Sequence, residues 1–216
     1  MQKRVAASER KKMILQSSLK VFAQKGLEGA TSRELAAAAG VSEGLLYKHF
    51  PTKEILYSEL ALALVTNKDA LFARLMAEPP SAASFIGAFH VLAKTILLGP
   101  PGRVKDDSID RLIGQSLLGD GSFAASFLES VFGPICPYLT ECLQVAWASG
   151  ELQTEKAPSE LHTLFVHHFF GMIALFSLPQ RRFFPVSGPE ELFREAFLFA
   201  CRGVGFTDLT VRRYAP

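Results

Sequence analysis

A chain of 216 residues that is 49% hydrophobic and 20% charged, with 18 phenylalanines, holds too much apolar surface to stay disordered and enough to bury a sizeable core. Its formal charge of +2 excludes a uniformly basic polyanion binder, yet the charge is uneven: residues 1–60 carry ten basic and six acidic side chains, the remainder 13 and 15. Three cysteines, Cys136, Cys142 and Cys201, with no CxxC pair argue against a disulfide framework or a thiolate zinc knuckle; with a polar N-terminus lacking a signal-peptide core, they point to the cytoplasm.

Apolar residues recur at helical period and nowhere sustain a period of two, so an all-α chain of nine or ten helices is expected, broken at Gly, Pro and Ser clusters. The first helix should run from about Ser8 to Lys25, turning Leu15, Leu19 and Phe22 inward, leaving Arg10, Lys11, Lys12 and Lys20 in water, and stopping at a left-handed Gly26. Thr31-Ser32-Arg33-Glu34 matches a capping box, in which the Thr31 hydroxyl takes an amide of the first turn and Glu34 reaches back. The short helix it opens points Leu35, Ala36 and Ala39 inward and ends at Gly40, after which Ser42 caps a third helix. There Leu46 and Phe50, with Val41, face a small core, so Glu43, Gly44, Leu45 and Lys48 lie on other faces, free to enter a groove. Small Ala36, Ala37, Ala38 and Gly40 allow the second and third helices to cross closely. Thr52 caps a fourth helix expected to reach about Met76.

Two short helices joined by a Gly-containing turn behind a longer basic helix have the form of a helix-turn-helix. The string TSRELAAAAGVSEGLLYKHFPTKEIL, Thr31 to Leu56, resembles the signature of the TetR family of transcriptional regulators: a Thr-capped helix, an Ala-Gly-Val-Ser turn, then Gly, two residues, Tyr, one residue, His-Phe and a following Lys-Glu. The resemblance covers about residues 8–60. It implies that Thr31, Ser32, Arg33, Tyr47, His49 and Lys53 hold phosphates, positioning the protein without reading sequence. Lys48 and Leu45, three apart on the outer face, suit guanine acceptors and a thymine methyl and are expected to read bases. Gly44 lets the backbone approach DNA at a cost of about 1 kcal/mol of helix propensity, and Ser42 and Glu43 open the same helix. Glu43 either complements the helix dipole or accepts from a cytosine amino group.

The expected organisation is a three-helix DNA-binding head, residues 1–52, and a helical ligand-binding and dimerisation domain, residues 53–216. All phenylalanines except Phe22 and Phe50 lie beyond residue 60, many at helical spacing. Most should be core. The resemblance implies that this part binds a small molecule, for which Phe89, Phe127, Phe169 and Met172 are the candidate contacts of a hydrophobic effector. The helices expected near Ser159–Leu178 and Pro189–Gly203 are apolar on more than one face, and in resembling proteins the corresponding pair forms a four-helix homodimer interface. Leu161 to Leu178 has no formal charge but contains three histidines and stops at Pro179, so no membrane span is expected.

No catalytic chemistry is expected. His90, His162, His167 and His168 lack HExxH or other ligand spacing, Gly119-Asp120-Gly121 follows no strand and lacks a third glycine, and no nucleophile triad stands out, so neither a metal nor another cofactor is expected. The expected function is a ligand-released dimeric repressor on a palindromic double-stranded operator. The alternative is a DNA-binding architectural or interaction factor without a small-molecule effector.

Overall fold

Helical period and capping chemistry together predict where the chain turns, and the computed structural model follows most of those signals. It describes residues 7–65, 69–100, 102, 105–178 and 186–215. Among these the regular structure is helical: α1 (Ala7–Gly29), α2 (Ser32–Ala38), α3 (Glu43–His49), α4 (Lys53–Val65), α5 (Asp69–Leu75), α6 (Ala82–Leu98), α7 (Ser108–Leu118), α8 (Ser122–Phe132), α9 (Cys136–Ala148), α10 (Glu160–Phe176), α11 (Pro189–Val204) and α12 (Asp208–Tyr214). The expected fourth helix falls on α4 and α5, and its residues 66–68 lie outside the described residues. The short α12 was not anticipated.

The chain forms two packing units: residues 1–68 with 107–131, and residues 69–106 with 132–216. In the first, α1 buries Ile14, Leu15, Ser18 and Phe22, a four-residue repeat that puts one stripe inward. Ser18 is satisfied locally, its hydroxyl donating to the Ile14 carbonyl at 2.7 Å. Gly26, with φ 68° and ψ −178°, leaves helical geometry and stops the first helical stretch where the sequence placed its end, and a second short stretch follows as far as Gly29. Leu35 and Ala36 of α2, Leu46 of α3, Phe50, and Leu56 and Leu60 of α4 meet the α1 stripe in one core. Complete burial of Phe22 and of Phe50 contributes about 1.5–3 kcal/mol each. Of the small residues expected at the crossing, Ala36 is buried and Ala39 packs against the core, whereas Ala37, Ala38 and Gly40 are exposed. Gly40 serves the turn instead, with φ 64° and no atom within 4 Å of where a Cβ would stand. The core also takes Leu112 of α7 and Phe123 of α8.

In the second unit α6 is central and packs against α9, α10, α11 and α12. Phe89 stacks on Phe85 and Phe197, with centroids 5.6 and 5.3 Å apart, and meets Phe170 edge-on at 5.1 Å. Pro189 opens α11, and the Glu191 carboxylate accepts the Ser187 amide at 2.8 Å. Gly205 closes that helix with φ 108°, and a Cβ there would stand 2.8 Å from Thr154 Cγ2 and 3.0 Å from the Gln153 carbonyl oxygen. This close approach lets residues 151–153 pair with 205–207: the Gln153 amide donates to Gly205 at 2.8 Å and the Thr207 amide to Glu151 at 3.1 Å. Among the described residues no helix is long and apolar enough to cross a membrane.

Candidate nucleic-acid interface

Three caps orient the helices of the candidate interface. The Thr31 hydroxyl accepts the Glu34 amide at 3.3 Å while the Glu34 carboxylate accepts the Thr31 amide at 3.2 Å, so the reciprocal box is complete. Ser42 accepts the Leu45 amide and Thr52 the Ile55 amide, each at 3.2 Å, fixing the starts of α3 and α4. A hydrogen bond from the Lys25 ammonium, reinforced by the Thr31 bonds, holds the Glu34 carboxyl below its ordinary range. The Glu54 carboxyl is lowered too, chiefly by its own backbone amide and then by the Thr52 hydroxyl.

With these starts fixed, α3 has two unlike sides. Leu46 and Phe50 are buried, whereas Ser42, Glu43, Gly44, Tyr47 and Lys48 are exposed and Leu45 and His49 are half-buried. Nothing lies within 4 Å of where a Gly44 Cβ would stand, so the backbone is open to close approach there. Arg33 and Thr31 are exposed and Ser32 half-buried at the start of α2. The Ser32 and Tyr47 hydroxyls share a hydrogen bond, tying the start of α2 to the outer side of α3.

Thr31, Ser32, Tyr47 and Lys53 converge on a cleft of about 510 Å³ that Thr52, Pro51, Ala30, Glu28 and Glu54 also line. The Lys53 ammonium and the Tyr47 hydroxyl supply this lining with groups that can donate to an oxyanion. Glu28 and Glu54 bring negative charge to the same lining, which opposes an anion there. Glu54 belongs to the Lys-Glu pair of the signature, whereas Glu28 was not singled out from sequence.

Not every cation near the start of the chain is available for DNA. Lys11 is ion-paired to Glu59 at 2.5 Å and lies over the Phe50 ring at 5.3 Å from its centroid, so it joins α1 to the α3–α4 region. Lys25 is engaged by Glu34. Among the described residues no acidic side chain holds Arg33 or Lys48.

The four residues expected to contact an effector fall in both units. Phe89 is in the aromatic core of the second unit, with its ring faces taken by Phe85 and Phe197. Phe169 stacks on the exposed Phe199, and Met172 is about half exposed on α10. Phe127 belongs to the first unit, stacked on Phe123. Helical spacing marks any apolar face, whether it meets core, partner or ligand, and so it could not separate these positions.

The four candidate histidines meet different surroundings: His162 accepts the Ser159 amide at 3.1 Å, His168 Nδ1 is bonded to the Leu164 carbonyl at 2.9 Å, His90 meets Phe193 and Phe197 edge-on, and the His167 ring lies 4.7 Å from that of Phe132. Cys142 and Cys201 are buried, and burial pushes the Cys201 thiol up to about 12.

A family model described as bacterial regulatory proteins, tetR family, matches residues 14–60, the segment holding α2 and α3. The HTH-type transcriptional repressor AcnR of Corynebacterium glutamicum is 32% identical over 165 residues, 74% of this chain and 78% of its own length. The match to the regulator YerO of Bacillus subtilis, 41% over 49 residues, covers 23% of this chain and only 17% of that relative. In three dimensions the chain is similar to the transcriptional regulator FadR of Bacillus subtilis in complex with stearoyl-CoA, with a TM-score of 0.66 at 15% identity over 89% of this chain and 98% of that one. The two-sided α3, its caps and these likenesses agree: the chain belongs to the tetR family of bacterial regulatory proteins.

Proposed function

We propose that the protein is a homodimeric repressor that binds a palindromic operator and is released by a hydrophobic small molecule. The carrying observation is the division of α3, with Leu46 and Phe50 buried and Lys48 exposed on the other side. In this reading α3 enters the major groove, with Lys48 donating to a guanine edge and Leu45 touching a thymine methyl. Thr31, Ser32, Arg33, Tyr47, His49 and Lys53 hold phosphates around it, Gly44 admits the backbone of the duplex, and Ser42 and Glu43 keep the helix start in place.

Association rests on an unpartnered apolar face. Leu161, Phe165, Met172 and Phe176 recur along one side of α10, all exposed, and the Phe169–Phe199 stack extends that side onto α11. A self-complementary face of this kind suits a two-fold axis, which spaces two heads for half-sites one DNA turn apart. The effector would bind in the aromatic second unit, around Phe89 and Phe169, whose rings pack among Phe85, Phe170, Phe197 and Phe199. The FadR neighbour was solved with an acyl-chain ligand, so this fold accommodates apolar molecules.

Selection of duplexes from a random pool tests the reading: the protein should enrich an inverted repeat whose binding weakens steeply with salt. Adding an inducing compound should release that duplex and, at 100 times its dissociation constant, stabilise the protein by about 2.7 kcal/mol. An enriched duplex lacking two-fold symmetry would contradict the dimeric reading. The second reading, an interaction factor, is favoured by the same exposed α10 face, and a monomer in solution that binds DNA would support it.

A further inference from the structure

Glu34 and Glu59 lie in the unit that carries the candidate interface, where negative charge alone would oppose a polyanion. Each is committed to a lysine of α1. Lys25 Nζ donates to Glu34 Oε1 at 2.5 Å while Glu34 Oε2 accepts the Thr31 amide at 3.2 Å, so one carboxylate joins α1 to the capping box that opens α2. Thr31 lines the cleft, and Ser32 beside it shares a hydrogen bond with Tyr47 of α3. Towards the other end of α1, Lys11 pairs with Glu59 of α4 at 2.5 Å and lies over the Phe50 ring, 5.3 Å from its centroid. Phe50 ends α3: it is buried, and its amide donates to the Leu46 carbonyl at 2.9 Å.

The two lysines stand 14 residues apart, before the break at Gly26. That is nearly four turns, so they share one side of α1 about 21 Å apart along its axis. Lys25 secures the start of α2, and Lys11 secures the end of α3 together with α4. Between them Leu35, Leu46 and Phe50 hold the middle of the packing. Apolar contact has no direction, so it fixes that these helices meet α1 without fixing how they tilt on it. Ties at both ends restrict that tilt. Lys11 and Glu59 are 42% and 33% exposed, Lys25 and Glu34 44% and 40%, so each tie contributes modestly.

We propose that Glu34 and Glu59 are positioning residues that support DNA binding, holding α2 and α3 through Lys25 and Lys11 in the orientation that a duplex meets. This inference rests on the proposed DNA-binding function and not on the effector or the dimer. The test uses the full chain and a duplex that the wild-type protein selects from a random pool, at about 0.15 M salt, where exposed charges that touch no phosphate are screened beyond about 8 Å. Glu59→Gln removes one pair and one negative charge. Glu34→Gln does the same and keeps an acceptor for the Thr31 amide, since glutamine also serves in a capping box. Each should weaken binding about two- to fivefold, the scale of an exposed pair. Lys11→Met and Lys25→Met should weaken it by a similar factor, and each lysine–glutamate double variant no more than its lysine single variant. Lysines that met phosphate instead would give the opposite sign, because loss of the glutamate frees the cation. Tighter binding by either glutamine variant, or unchanged affinity with or without a loss of thermal stability, would overturn the inference. A wild-type protein that binds no duplex would overturn the DNA-binding reading itself, a result distinct from either of these.

Discussion

Replacing Phe165 with Glu perturbs the centre of the exposed α10 face. The residue is 64% exposed, so of the roughly 200 Å² an aromatic side chain offers, about 130 Å² remains for a partner to cover. At ~25 cal/mol per Å² that covering contributes about 3 kcal/mol per copy. A two-fold axis uses the residue twice, giving about 6 kcal/mol per dimer, roughly four decades in the dissociation constant. Burying the two new carboxylates adds to the loss. In sedimentation velocity over a range of loading concentrations, the wild-type chain should run as a dimer and Phe165→Glu as a monomer with unchanged helix content. Leu209→Glu, on α12 and 77% exposed, removes comparable apolar surface away from α10 and should leave the dimer intact. A dimer that survives Phe165→Glu, or equal dissociation by Leu209→Glu, would refute the choice of face.

Two further substitutions address the interiors of the units. Leu112→Ala opens a cavity in the core that supports α3 and should cost about 2–5 kcal/mol in denaturant unfolding, whereas Leu118→Ala, on the exposed end of α7, should stay within about 0.5 kcal/mol of wild type; equal effects would place α7 outside that core. The His90 imidazole is held below its ordinary value of 6.5 by burial and then by Lys94. The unfolded chain therefore binds this proton more readily than the folded one, and the contribution of neutral His90 is complete above pH 6.5 and lost as the pH falls through its lower folded value. Thermal melts of His90→Phe should show a flatter decline than wild type as the pH falls below about 6.5, and parallel declines would contradict the lowered imidazole.

The sequence spoke most clearly where the determining forces are local. The Thr31–Glu34 box, the Ser42 and Thr52 caps and the inward pair Leu46 and Phe50 depend on hydrogen bonds and side-chain directions within a few residues, and each is present as expected. The positive φ expected at Gly26 is also present and interrupts the helix there, whereas the short helical stretch that follows to Gly29 had no local signal. That Leu112 and Phe123 complete the core behind α3 is a long-range fact, since their helical spacing is indistinguishable from that of residues packed elsewhere. The same degeneracy leaves helical spacing unable to say which apolar residues meet a ligand: Phe127 packs against the core of the first unit and Met172 is exposed on α10. Lys11 stays partly in water as expected, and the partners it also meets there, Glu59 and Phe50, arrive from α4 and the end of α3 and had no local signal.

The central claim is that the exposed side of α3 reads DNA while the cleft beside it grips the backbone. Binding of wild-type, Lys48→Ala, Leu45→Ala and Lys53→Ala proteins to the selected duplex and to its single-base variants, over a series of salt concentrations, tests that claim most directly. Lys48→Ala and Leu45→Ala should each erase about 1–3 kcal/mol of preference at one base pair. Lys53→Ala should weaken all duplexes alike and lower the salt slope by about one. Uniform weakening by all three substitutions, or full discrimination without Lys48, would contradict it.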